Sequence, residues 1–142
     1  MRKEKTYLYF FELVLIIFTL GCTTTHSDSG KIYKIHANVN DSRIVYNFGE
    51  QELGNSLQLM LELENSLDTP FVINSVKSYC GCTMPDYSRD VIKPNAKAEV
   101  KIIFTPDHLG VNDKSVKVYL NIKDSPVELI IRGNVVKRDD NH

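Results

Sequence analysis

The strongest constraint on the fold is a ladder of leucines at every second position. Leu57, Leu59, Leu61 and Leu63 alternate with Gln58, Met60, Glu62 and Glu64. Period two belongs to a strand with one buried face. On a helix of about 3.6 residues per turn the same leucines would spread around the axis and bury nothing. Leucine favours helices intrinsically, but the pattern outranks the propensity. Residues 57–64 are therefore read as a strand with Glu62 and Glu64 on a solvated face, and a strand needs partners.

Other stretches supply them. Ile35, Ala37 and Val39 alternate weakly, and Arg43 to Phe48 is an extended run ending at a glycine turn, Gly49. Phe71 to Val76 leads into a segment that holds two cysteines, after a turn ending in Pro70. A loop at 85–90, a short strand Val91-Ile92 and a turn Lys93-Pro94-Asn95 follow. Val100, Ile102 and Phe104, then Val116, Val118 and Leu120, then Leu129 and Ile131, repeat the alternation. Thr105 to Gly110 interrupts it, Asp124-Ser125-Pro126 makes a hairpin turn, and Gly133 ends the dense pattern. About seven short strands at about ten-residue spacing predict an all-β chain folded as a β-sandwich.

The first residues carry a different message. Arg2, Lys3 and Lys5 precede an apolar run from Tyr7 to Leu20 that is short for a membrane span and is interrupted by Glu12. That order is the order of an export signal. Gly21-Cys22, followed by the small polar residues 23–30, resembles a bacterial lipoprotein lipobox and tether, with Thr19 where an aliphatic residue is usual. The resemblance implies a signal peptide over 1–21, a lipidated Cys22 opening a flexible tether over 22–30, and a folded domain over 31–142. Acyl chains insert at about 0.8 kcal/mol per buried CH₂, so a multiply acylated cysteine would hold the protein at a membrane. The expected location is the cell envelope, on the periplasmic face or the outer-membrane surface.

Several motifs recur in a family-like order. Phe48-Gly49, the leucine strand closing at Asn65, Pro70-Phe71-Val72-Ile73, Cys80-Gly81-Cys82-Thr83, Ile92-Lys93-Pro94, Val100-Ile102-Phe104-Thr105 and Leu129 to Val135 follow one another. In that order the chain resembles the bacterial domain-of-unknown-function family numbered fifteen seventy-three. The resemblance implies an immunoglobulin-like sandwich close to Hydin-type and sperm-protein-like domains, often borne by lipoproteins of the Bacteroidota. It implies no activity. One departure is Asn95, where the family commonly has glycine; asparagine tolerates the left-handed backbone such a turn needs.

The chain has three cysteines. With Cys22 assigned to lipid and export placing the domain outside the reducing cytosol, Cys80 and Cys82 remain as a pair. If the segment is extended, their side chains leave the same face, with Gly81 between them. Three roles stay open. The sulfurs can simply pack at a strand end. They can form a disulfide closing so small a loop that it staples almost nothing. They can bind a soft metal such as copper, with Met84 at the next same-face position and His108 as a fourth ligand from a neighbouring loop. Pro85 would end the strand just past Met84.

Other chemistry is not indicated. His26, His36 and His142 have no partner at useful spacing and are read as solvated, and His108 beside Asp107 is read as a loop feature. Ser75, Ser78 and Ser88 lack a nucleophile elbow, and no phosphate loop, zinc-helix motif or calcium loop occurs. A net charge of −1 with no basic block argues against nucleic acid. The expectation is a non-enzymatic, lipid-anchored module that meets a protein or glycan partner, without a cofactor. The alternative is copper binding or thiol–disulfide chemistry at Cys80 and Cys82.

Overall fold

The computed structural model describes residues 31–137. The signal, Cys22, the tether with His26, and the tail with His142 lie outside them. Eight strands run in chain order: β1 (Ile32–Asn38), β2 (Arg43–Glu52), β3 (Leu57–Glu64), β4 (Ile73–Ser78), β5 (Thr83–Tyr87), β6 (Lys97–Phe104), β7 (Gly110–Leu120) and β8 (Val127–Val136). They form two four-stranded sheets, ordered β1-β3-β6-β5 and β2-β8-β7-β4. β1 runs parallel to β3 and β2 parallel to β8; the other pairs are antiparallel. Among the described residues no helix is long and apolar enough to cross a membrane.

The leucine ladder sets the register. Leu57, Leu59, Leu61 and Leu63 stand opposite Phe104, Ile102, Val100 and Ala98. All eight are buried, and they pack on Val116, Val118, Leu120, Val127, Leu129 and Ile131 from the second sheet. Each such aliphatic side chain contributes roughly 1.5–3 kcal/mol by leaving water, so the ladders are the main stabilising layer. Phe48 and Phe104 add a ring contact, with centroids 5.7 Å apart.

Four details differ from the sequence-based expectation. Gly49 makes a bulge in β2 rather than a turn: its φ is +73°, the pairing with β8 slips there, and the strand runs on to Glu52. Gly133 lies within β8, at a point where any Cβ would collide with the Phe48 ring. Residues 83–87, expected in part as loop, form β5 with Pro85 in the middle. β5 is an edge strand paired only to β6, and an edge tolerates a residue that cannot donate a ladder hydrogen bond. Val91-Ile92 is reduced to one bridge between Ile92 and Phe71. The Asn95 turn is as expected, with φ of 63°.

A further correction concerns Glu62, which is only 7% exposed. Lys34 Nζ and His36 Nδ1 each lie 3.0 Å from its carboxylate, and Lys97 Nζ lies 3.5 Å away. His36 stands directly opposite Glu62 in the β1–β3 register, so the two side chains share the outer face. His36 is thus a carboxylate partner, not a merely solvated side chain. The Lys34 hydrogen bond, above all, holds the Glu62 carboxyl below its ordinary range, against the opposing effect of burial.

Candidate functional site

The two cysteines lie where the chain changes sheets. β4 closes one edge of the second sheet at Ser78, and β5 opens an edge of the first at Thr83. Residues 79–82 make the corner between them. The Cα atoms of Cys80 and Cys82 are 5.2 Å apart. Two residues of extended strand would span about 6.6 Å, so the segment is bent rather than extended. Bending turns the sulfurs toward each other, and they are joined as a disulfide. The bridge is one of the three roles left open above, and Cys82 also packs against the core. Chain-entropy reasoning gives a loop this small only about 1.5 kcal/mol of stabilisation.

Hydroxyls and one main-chain bond hold the corner. Ser78 Oγ donates to the Cys80 carbonyl at 3.3 Å and accepts from Cys80 N at 3.4 Å. Thr83, which is buried, places Oγ1 3.3 Å from Cys80 Sγ and 3.9 Å from Cys82 Sγ. A bridged sulfur carries no hydrogen, so in these contacts the hydroxyl donates. The Thr105 N–H donates to the Cys82 carbonyl at 2.9 Å and ties the corner to the loop after β6. Tyr79 and Met84 flank the bridge, 74% and 63% exposed.

Tyr79 extends the site over the outer face of the second sheet. Lys117 Nζ lies 5.8 Å from its ring centre, and Lys77 Nζ lies 5.3 Å from that of Tyr119. A hydrogen bond between the two phenols, chiefly, raises the Tyr119 hydroxyl above its ordinary pKa. The tyrosine pair carries no signal in the sequence, where Ser78 stands only as a serine without a nucleophile elbow and Thr83 only as the last residue of the Cys-Gly-Cys-Thr motif. The one available signal was the spacing, since Ser78 precedes Cys80 by two and Thr83 follows Cys82 directly.

The remaining candidates do not converge on the sulfurs. Met84 lies on β5, opposite Ile103 and facing solvent. Because residues 79–82 bend, Cys80, Cys82 and Met84 do not form one strand face, as the copper arrangement required. Nor does Pro85 end the strand; it pairs opposite Ile102. His108 Nδ1 is 2.7 Å from Asp107 Oδ1, and Lys114 Nζ is 3.7 Å from the same oxygen. That His108 hydrogen bond is the main reason the Asp107 carboxyl sits below its ordinary range. Among the described residues no group of three or more His, Cys, Asp and Glu side chains is placed to hold a metal ion.

Two facing sheets with an exposed, bridged corner define an immunoglobulin-like β-sandwich. The chain matches the family described as "Protein of unknown function (DUF1573)" over residues 38–135, and it belongs to that family. Solved structures share the fold at low identity. A protein of unknown function from Porphyromonas gingivalis W83 is 14% identical with a TM-score of 0.54; the match covers 66% of this chain and 44% of that one. A human CEP192 domain, described as an ASH or PapD-like domain, is 15% identical with a TM-score of 0.50, over 70% and 84% of the two chains. The secreted serine protease VesC from Vibrio cholerae is 11% identical with a TM-score of 0.52, over 63% of this chain and 21% of its own. The chain thus spans under half of the P. gingivalis protein. No curated protein matches the sequence.

Proposed function

We propose that the protein is a non-enzymatic module of the cell envelope, anchored through a lipid on Cys22, that binds a protein partner by backbone pairing at the β1 edge. The supporting observation is a difference among the four edge strands. β5 carries Pro85, β2 is bulged between Asn47 and Gly49, and β4 slips register between Ile73 and Ser75. Prolines and bulges are the usual defences of an edge. β1 pairs with β3 without interruption from Ile32 to Asn38 and has neither. Beyond its end, Val39 N donates to Glu64 O. By alternation, Tyr33, Ile35 and Ala37 turn their main-chain groups to β3, and Lys34 and His36 turn theirs outward. An extended peptide can add there as a further strand. A tether over 22–30 reaches at most about 30 Å, which keeps this edge near the membrane.

Site-specific photocrosslinking in native envelopes tests the reading. A photoreactive side chain at position 34 is expected to capture a protein, and one at Asp86 on the proline-bearing edge is not. His36→Pro removes an outward N–H and is expected to abolish capture, whereas His36→Ala keeps the N–H and retains it. Equal capture from both edges, or capture indifferent to the proline, would sink edge pairing. A glycan partner would leave no protein adduct at either position.

A further inference from the structure

We propose that the Cys80–Cys82 bridge is a thiol–disulfide exchange site that accepts two electrons from a dithiol substrate, with Cys80 the sulfur that is attacked. This stands apart from pairing at β1. The bridge joins residues two apart, so it constrains little of the chain. The corner is held without it, by β4 and β5 on either side and by the bond from Thr105 N to the Cys82 carbonyl. Opening the bridge therefore leaves the fold in place. A bridge of small structural value at an exposed corner is the kind that exchanges.

The surroundings give the two sulfurs different tasks. Both cysteines are half-buried, but Cys82 is the one that packs against the core. Cys80 is bordered by Tyr79, 74% exposed, with Lys117 Nζ 5.8 Å from the Tyr79 ring. That arrangement offers an apolar landing place beside a positive charge that favours an approaching thiolate. Thr83 Oγ1, 3.3 Å from Cys80 Sγ, can donate to a Cys80 thiolate, and Ser78 Oγ, 3.7 Å away, can do so by turning its hydrogen from the Cys80 carbonyl.

One substrate thiolate attacks Cys80 Sγ; the bridge breaks, and its electron pair goes to Cys82 Sγ, which takes a proton from water. The substrate's second thiolate attacks the substrate sulfur of the mixed disulfide. That bond breaks toward Cys80 Sγ, whose thiolate is stabilised by the Thr83 and Ser78 hydroxyls until it is protonated. The substrate leaves as a disulfide, and the protein holds two thiols.

The test uses the full chain carrying Cys22→Ser, so that Cys80 and Cys82 are its only cysteines. The probe is a short synthetic peptide with two cysteines. Folded oxidised protein is expected to oxidise one peptide per chain, read by alkylation and intact mass. A single-cysteine peptide should be trapped on Cys80, located by fragment mapping. Thr83→Val and Ser78→Ala are expected to slow release of the second step by about tenfold, the effect of removing a hydrogen bond to a charged group. They should also move the alkylation of reduced Cys80 to higher pH, and Thr83→Ser should restore both. Trapping on Cys82 would overturn the assignment. Peptide oxidation by the unfolded chain but not by the folded one would show a shielded bridge and end the proposal, as would variants that exchange like the parent.

Discussion

The first sheet ends in two polar constellations of opposite kind. At the β1 edge, Glu62 gathers Lys34 and His36 from β1 and Lys97 from β6, through polar contacts that are reversible. At the β5 edge, a covalent bond joins Cys80 to Cys82. The weaker type of bond links residues remote in sequence, and the stronger type links near neighbours. What a contact does for a fold depends on how much chain it restrains, so the covalent bond matters less to stability than its strength suggests. The two edges should answer to different variables, the first to pH and salt and the second to reductant.

Leu61→Ala sets the scale, because Leu61 shares β3 with Glu62 and is fully buried. It should cost about 2–5 kcal/mol in a urea titration. A cost near zero would mean that the ladder is not the stabilising layer. Next comes Glu62→Gln, which leaves three basic groups facing one another without their carboxylate. A clear fall in the urea midpoint at neutral pH is expected, smaller than that of Leu61→Ala and reduced by added salt.

The pH dependence separates the edges further. The Glu62 carboxyl is lowered from an ordinary 4.5 in the folded protein. Its contribution is therefore complete above about 4.5 and is lost as pH falls through the lowered folded value. Lys34 is raised above 10.5 by the same hydrogen bond, so its contribution is complete below 10.5 and fades as pH climbs through the raised value. Glu62→Gln should flatten both limbs. Persistence of the same acid limb in that variant would place the titration elsewhere. The smallest effect belongs to the corner. Cys80→Ser with Cys82→Ser should shift stability by at most about 1.5 kcal/mol and leave the pH profile unchanged. Loss of folding in that variant would reverse the ranking of the two edges.

Much of this architecture was legible beforehand, for particular reasons. β3, β6, β7 and β8 bury one face each, so their alternation reports directly on the core. Asn95 could be placed in a turn because few residues accept its backbone. β5 was hidden because five residues with a central proline carry no strand signal, and only its position at an edge permits them. The burial of Glu62 was hidden as well. Alternation tells which face a residue takes, but not whether long side chains from neighbouring strands close over that face. The corner was half legible: the pair was conspicuous, but bent and extended backbones leave its sulfurs in different relations.

The class of fold, the composition of the core and the existence of a sulfur pair can be read from the residues alone, since they follow from local periodicity and residue type. Which edge stands undefended, which carboxylate is enclosed, and how the Ser78 and Thr83 hydroxyls meet the bridge follow from the folded chain. Those depend on register between strands distant in the chain and on a bend of four residues, and local preference specifies neither.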